Sequence, residues 1–186
     1  MKIILLSFLG LLLISLIIFG YFGAFKRISF NQFHTGGEWI AFRSFRGDYK
    51  QSAVVMDEVY QQLLDSHQLH TFQGIGIYYD NPEKVAADQL RADAGCVISA
   101  EDAKQLSQHK NLKIKQLPEG DYLVAEFPYK GKLSVLLGLF KVYPGMKNFV
   151  KMRGLNPETP VIELYDIPNK KIVYRKFLSA YPHPLS

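Results

Sequence analysis

From Ile3 to Phe25 the chain runs for 23 residues without a charge, reading IILLSFLGLLLISLIIFGYFGAF. About 20 such residues, rising 1.5 Å each, span a hydrocarbon layer of roughly 30 Å. Ser7 and Ser15 can bond back to the helix, and Gly10 and Gly20 are tolerated in membrane helices. Tyr21, Phe22 and Phe25 stand where interfacial aromatics belong. A cleaved signal peptide would have a shorter apolar stretch, about 7–15 residues, ending in a small-x-small site. Here Tyr21 and Phe22 interrupt Gly20 to Ala24. The expectation is an uncleaved anchor over residues 1–27, in contact with lipid through residues 3–25. Lys26 and Arg27 follow the run while only Lys2 precedes it. Counting basic residues near the ends puts the rest of the chain on the cytoplasmic side.

Residues 28–186 have the length of one domain with a core of its own. Aromatics make up 13% of the sequence, too many for a disordered segment. The net charge of +5 is spread out with no run of five or more like charges, so no nucleic-acid partner is expected. The single cysteine, Cys96, excludes an internal disulfide. His67 and His70 lack a third ligand nearby, and no nucleophile–base signature occurs. No metal, no cofactor and no catalytic residue are assigned.

The region repeats itself. Tyr79-Asp80-Asn81-Pro82 returns as Tyr165-Asp166-Ile167-Pro168, and each tyrosine follows a landmark glycine (Gly47, Gly131) by 32 and 34 residues. Between the landmarks the patterns match: strand, helix, strand, strand. The first copy covers about 37–99, with strands Glu38–Arg46, Gln73–Asp80 and Leu90–Ile98 and an apolar helical stripe from Val54 to Leu64. A linker of about 100–111 carries a short helix from Glu101 to Gln108. The second copy, about 112–179, has strands Asp121–Lys130, Val161–Asp166 and Lys171–Phe177, and a helix from near Leu133 that Pro144 should kink or divide. The fold class is therefore α+β: a duplicated strand–helix–strand–strand unit about a pseudo-twofold axis, preceded by one transmembrane helix. Helices are expected on one side of the sheet and a concave open face on the other.

Strand alternation assigns faces. Placing apolar Ile162 and Leu164 beneath the helix puts Glu163 and Tyr165 on the open face, with Tyr79 as the counterpart of Tyr165. In the first strands Phe42 and Glu126 face the open side and Ala41 and Ala125 the helices. The candidate ligand-binding residues are thus Glu163, Tyr165, Tyr79, Phe42 and Glu126. Aromatics beside a desolvated carboxylate suit cationic or amphipathic organic ligands.

Arg46-Gly47-Asp48-Tyr49, Gly74 to Pro82, Leu90-Arg91 with Asp93 and Gly95, Leu117 to Tyr122, and Glu163-Leu164-Tyr165 resemble the GyrI-like small-molecule-binding domain, the effector-binding module of AraC-type and MerR-type regulators. The resemblance covers Glu38 to Ser179. It implies a ligand cleft at the pseudo-twofold axis, with Glu163 matching a buried glutamate that contacts cationic ligands. A membrane helix stands where the regulators carry a helix-turn-helix, so a role in transcription is not carried over. An anchor followed by this domain also resembles the N-terminal part of a testis-expressed ER-phagy receptor of animals. That receptor continues into a disordered tail, whereas this chain stops at Ser186. Three functional readings follow: a membrane-anchored, non-catalytic binder of a small organic ligand; a hydrolase of electrophilic cyclopropane-type compounds acting through Glu163; and an adaptor that recruits a protein partner.

Overall fold

A computed structural model describes residues 2–107 and 112–178. Helix α1 (Lys2–Tyr21) is apolar on every side, and its window Ile4–Tyr21 is long enough to cross a membrane. Its side chains contact little of the protein. The chain then lays Ile28 and Phe30 into the main domain before strand β1 (Asn31–Thr35).

Two units of like topology follow. The first is β2 (Trp39–Arg46), α2 (Ser52–His67), β3 (Gln73–Tyr78) and β4 (Arg91–Ile98). Helix α3 (Ala100–Leu106) and strand β5 (Lys113–Gln116) connect it to the second: β6 (Gly120–Pro128), α4 (Lys132–Met152), β7 (Val161–Asp166) and β8 (Lys171–Phe177). The eight strands form one antiparallel sheet in the order β1-β6-β8-β7-β3-β4-β2-β5. The units join at its centre through β3 and β7, with Gly76 opposite Glu163.

Strands β1 and β5 are short, polar and absent from the sequence reading. Each leaves its own unit: β1 pairs with β6, and β5 with β2. The chain must therefore cross the sheet twice, through Gly36–Glu38 and through Leu117–Glu119. The crossings bond to each other, Gly37 N donating to Leu117 O and Leu117 N to Glu38 O. Gly36 is required there, because a Cβ would fall 2.1 Å from the Pro118 carbonyl oxygen and its φ is +110°. Leu117 drops into a cluster with Ile40, Phe42, Ile75, Ile77, Tyr122, Ile162 and Leu164. The sheet face away from the helices is thus a filled core and not an open groove. Each fully buried aliphatic side chain there contributes about 1.5–3 kcal/mol.

The helices cover the other face. Val59 and Leu63 of α2 pack on Ala41, Cys96 and Ile98, while Val142, Met146 and Val150 of α4 pack on Leu123, Ala125, Ile172 and Tyr174. Ala41 and Ala125 lie beneath the helices as expected. Helix α4 runs through Pro144 unbroken. The donor that Pro144 lacks would have served the carbonyl of Phe140, and both residues lie on the solvent side, where water can replace it.

The motif around Tyr79 and Asp80 builds a loop. Asp80 receives Arg91 through Nε, Nη2 and its backbone N–H at 2.7–3.0 Å, and this holds its carboxyl below the usual range. The Tyr49 hydroxyl donates to the Asp80 carbonyl at 2.9 Å and sits 2.9 Å from Asp80 N.

Candidate functional site

The closed far face moves the site to the helix side. On β7, Ile162 and Leu164 join the far core, so Val161, Glu163 and Tyr165 point toward α4. The expected assignment is inverted, because it took the helix side to be the only apolar one. Tyr79 is not the counterpart of Tyr165 either: it lies on the far face, and Tyr78 shares the helix face. A slip of one residue in matching the two Tyr-Asp-x-Pro motifs exchanges the faces.

Glu163 is 2% exposed. Tyr143, reaching down from α4, donates to its Oε1 at 2.8 Å, and Tyr165 donates to Oε2 at 2.6 Å. The Tyr78 hydroxyl also approaches the carboxyl. It lies back over Gly76, 2.6 Å from where a Cβ on that glycine would sit. Gly74, Gly76 and Ala94 give β3 and β4 a floor without side-chain bulk next to Glu163. Tyr174, paired with Glu163 across β7 and β8, is fully buried, and its hydroxyl has no hydrogen-bond partner among the described residues. Gly138 of α4 leaves room for it, since a Cβ there would meet the hydroxyl at 2.3 Å. Ser52 at the start of α2 adds a further buried hydroxyl, next to that of Tyr78.

Burial pushes the Glu163 carboxyl above its ordinary value, and the hydroxyls of Tyr165, Tyr143 and Tyr78 offset part of that rise. Burial, followed by the neighbouring carboxylate, pushes Tyr143, Tyr165, Tyr78 and Tyr174 up as well, so each stays a protonated donor. The result is an acceptor inside a ring of aromatic donors. It can hold a cation, or keep a proton in its place.

The other candidates lie elsewhere. Phe42 is buried in the far core beneath the Lys115 ammonium, 4.4 Å from its ring centre. Tyr79 donates to Asp93 at 2.5 Å and accepts from Lys115 at 2.9 Å, which ties β5 to β3 and β4. Glu126 accepts from Lys171 at 2.6 Å, in a shallow groove of about 370 Å³ that also includes Phe33, Asp166 and Arg175. Of the five, Glu163 and Tyr165 meet on the helix side, Phe42 and Tyr79 meet separately at Lys115 in the far core, and Glu126 joins neither pair. Tyr78, Tyr143, Tyr174, Gly76 and Gly138 were missed. A legible trace was the alternation Gly74, Gly76, Tyr78, which marks one face of β3 as a place of close approach. Among the described residues no group of three or more His, Cys, Asp or Glu side chains could hold a metal.

The model of the GyrI-like small-molecule-binding domain matches residues 40–174, both units and the whole of this site. The chain belongs to the GyrI-like family. Testis-expressed protein 264 of Homo sapiens is 31% identical over 100 residues, which cover 50% of this chain and 32% of that protein. The Mus musculus homolog is 30% identical over the same length. The match spans about a third of the length of these relatives. The C-terminal domain of EcmrR superposes with a TM-score of 0.56 at 8% identity, covering 82% of this chain and 97% of its own. SAV2435 bound to tetraphenylphosphonium gives a TM-score of 0.50 at 11% identity, covering 83% and 95%. At such identities the likeness is one of fold.

Proposed function

We propose that this GyrI-like domain is a non-catalytic receptor for a lipophilic organic cation, held on a membrane by α1. The observation that carries the reading is Glu163, a carboxyl sealed from water among four tyrosines above a floor of glycine and alanine. A buried carboxylate costs several kcal/mol unless it is compensated, and neutral hydroxyls compensate only part of that. An aromatic cation supplies the missing charge and can stack on the tyrosine faces. Tyr143 and Tyr165 fill the place above the carboxyl, so they must swing aside on binding, which makes them the gate. That SAV2435, of the same fold, was solved with tetraphenylphosphonium indicates the class of ligand to try.

Anchoring is supported by the length and exposure of α1 and by the chain that follows it. Gly23 packs against Phe127 and Pro128, and Phe30 against Gly145 and Phe149, so the exit from α1 belongs to the folded domain. Lys26 and Arg27 favour a cytoplasmic domain.

The test is titration of the full chain in nanodiscs with tetraphenylphosphonium, against Glu163→Gln as the reference for lipid partitioning. The variant should bind at least tenfold more weakly, about 1.4 kcal/mol. Equal affinity would remove Glu163 from the binding role.

A further inference from the structure

The two units should present equivalent helices, and on their outer surfaces they do not. Helix α2 exposes Asp57, Glu58, Gln61 and Asp65, as a solvated helix should. The first half of α4, Leu133–Phe140, reads LSVLLGLF and carries no charge. Ser134 and Gly138 face the core, while Leu136, Leu139 and Phe140 stand 48%, 39% and 71% exposed. Positions 136, 139 and 140 are spaced i, i+3 and i+4, so they form one ridge on the helix surface. A helix apolar all round is ordinarily covered.

The neighbouring contacts identify the cover. Lys141, the residue after Phe140, donates to the carbonyls of Ala24 and Lys26 in the turn leaving α1. Lys130, two residues before α4, donates to the Tyr21 carbonyl at 2.9 Å and lies 4.0 Å over the Tyr21 ring. The Lys130 ammonium thus caps the C-terminal end of α1, where the helix dipole is negative, and Lys141 holds the turn that follows it. These ties fix the ridge beside the point where α1 ends. Consecutive Cα atoms are about 3.8 Å apart, so Phe140 cannot lie far from that turn.

We propose that the Leu136–Leu139–Phe140 ridge is a second membrane contact, seated at the headgroup–acyl boundary of the leaflet from which α1 emerges. This rests on the reading of α1 as a membrane anchor. Exposed Lys132, with Lys130, Lys26 and Arg27 close by, supplies the basic flank that such a contact uses on anionic lipid. The ridge holds the domain in one orientation on the bilayer. One turn further along α4 stands Tyr143, so the gate of the Glu163 site lies next to the zone where amphipathic cations concentrate.

The experiment places an environment-sensitive fluorophore on the full chain in the Cys96→Ser background, at Phe140→Cys, at Ile14→Cys or at Asp65→Cys. The chains are reconstituted in vesicles of phosphatidylcholine and phosphatidylserine that contain shallow doxyl-labelled quencher lipids. Strong quenching at positions 14 and 140, at least threefold above position 65, is the expected result. Quenching at 14 with position 140 no different from 65 overturns the ridge contact and leaves the anchor standing. No excess quenching at 14 overturns the anchor and the ridge together. A matching label at Leu136→Cys must follow position 140; if it follows position 65 instead, the ridge is not the contact.

Discussion

The Tyr143 hydroxyl, carried on α4, donates to Glu163 Oε1 at 2.8 Å and so joins the helix to the centre of the sheet. Helix α4 packs chiefly over β6, and this bond is its polar contact with β7. The strip between the two helices holds the carboxyl, and Tyr143 lies across it. Anything that reaches Glu163 must break this bond or replace it.

Replacing Tyr143 with Phe removes that donor and leaves a buried oxygen short of a partner. The loss should cost about 1–3 kcal/mol of stability at neutral pH, read as a shift in the urea midpoint. It should also raise the Glu163 pKa further. A midpoint within error of the parent would mean that the bond contributes nothing in solution.

Glu163 should impose a pH dependence of a definite sign. Its unfolded value is near 4.5 and its folded value is higher. Below 4.5 both states are protonated and stability from this group is complete. As the pH rises toward the folded value, the unfolded chain releases its proton and the folded one does not. Stability therefore falls, by at most about 1.4 kcal/mol per pH unit. Above the folded value the penalty is constant. Glu163→Gln removes it, so the variant should gain on the parent as the pH rises from 4.5. Parallel stability curves would contradict the raised pKa.

Gly138→Ala should act against helix propensity. A mid-helix Gly→Ala change ordinarily gains up to about 1 kcal/mol. Here the new Cβ meets the rigid, buried Tyr174 hydroxyl at 2.3 Å. A net loss of about 1–3 kcal/mol is expected. The double variant with Tyr174→Phe, measured in the same unfolding assay, should recover most of it. Failure to recover would place the strain elsewhere.

The strands with strong alternation were legible in the sequence, and β7 and β8 match the expected spans to the residue. So was the strand–helix–strand–strand order of elements in each half of the domain. Strands β1 and β5 were not, because Asn31–Thr35 and Lys113–Gln116 are polar and exist only by pairing across units. Missing them made the far face look open, and this put Glu163 and Tyr165 on the wrong side. The residues that carry the family resemblance divide between two places: Glu163, Tyr165, Gly76 and Tyr78 meet in the candidate site. Asp80, Arg91 and Tyr49 hold a loop, and the tyrosines around Glu163 come from elements that only the tertiary fold brings together. Tyr143 reads as one more aromatic in an apolar helix until β7 is placed beneath it.

The carboxyl at the centre is best tested by counting protons. Calorimetric titration with tetraphenylphosphonium in nanodiscs, in two buffers of different ionisation enthalpy, reports protons released per cation bound. Below the pKa of free Glu163 the parent chain should release up to one proton, and its affinity should rise with pH. Glu163→Gln should release none and bind at least tenfold more weakly. Equal affinity of the two chains with no proton released by either would contradict a cation seated on Glu163.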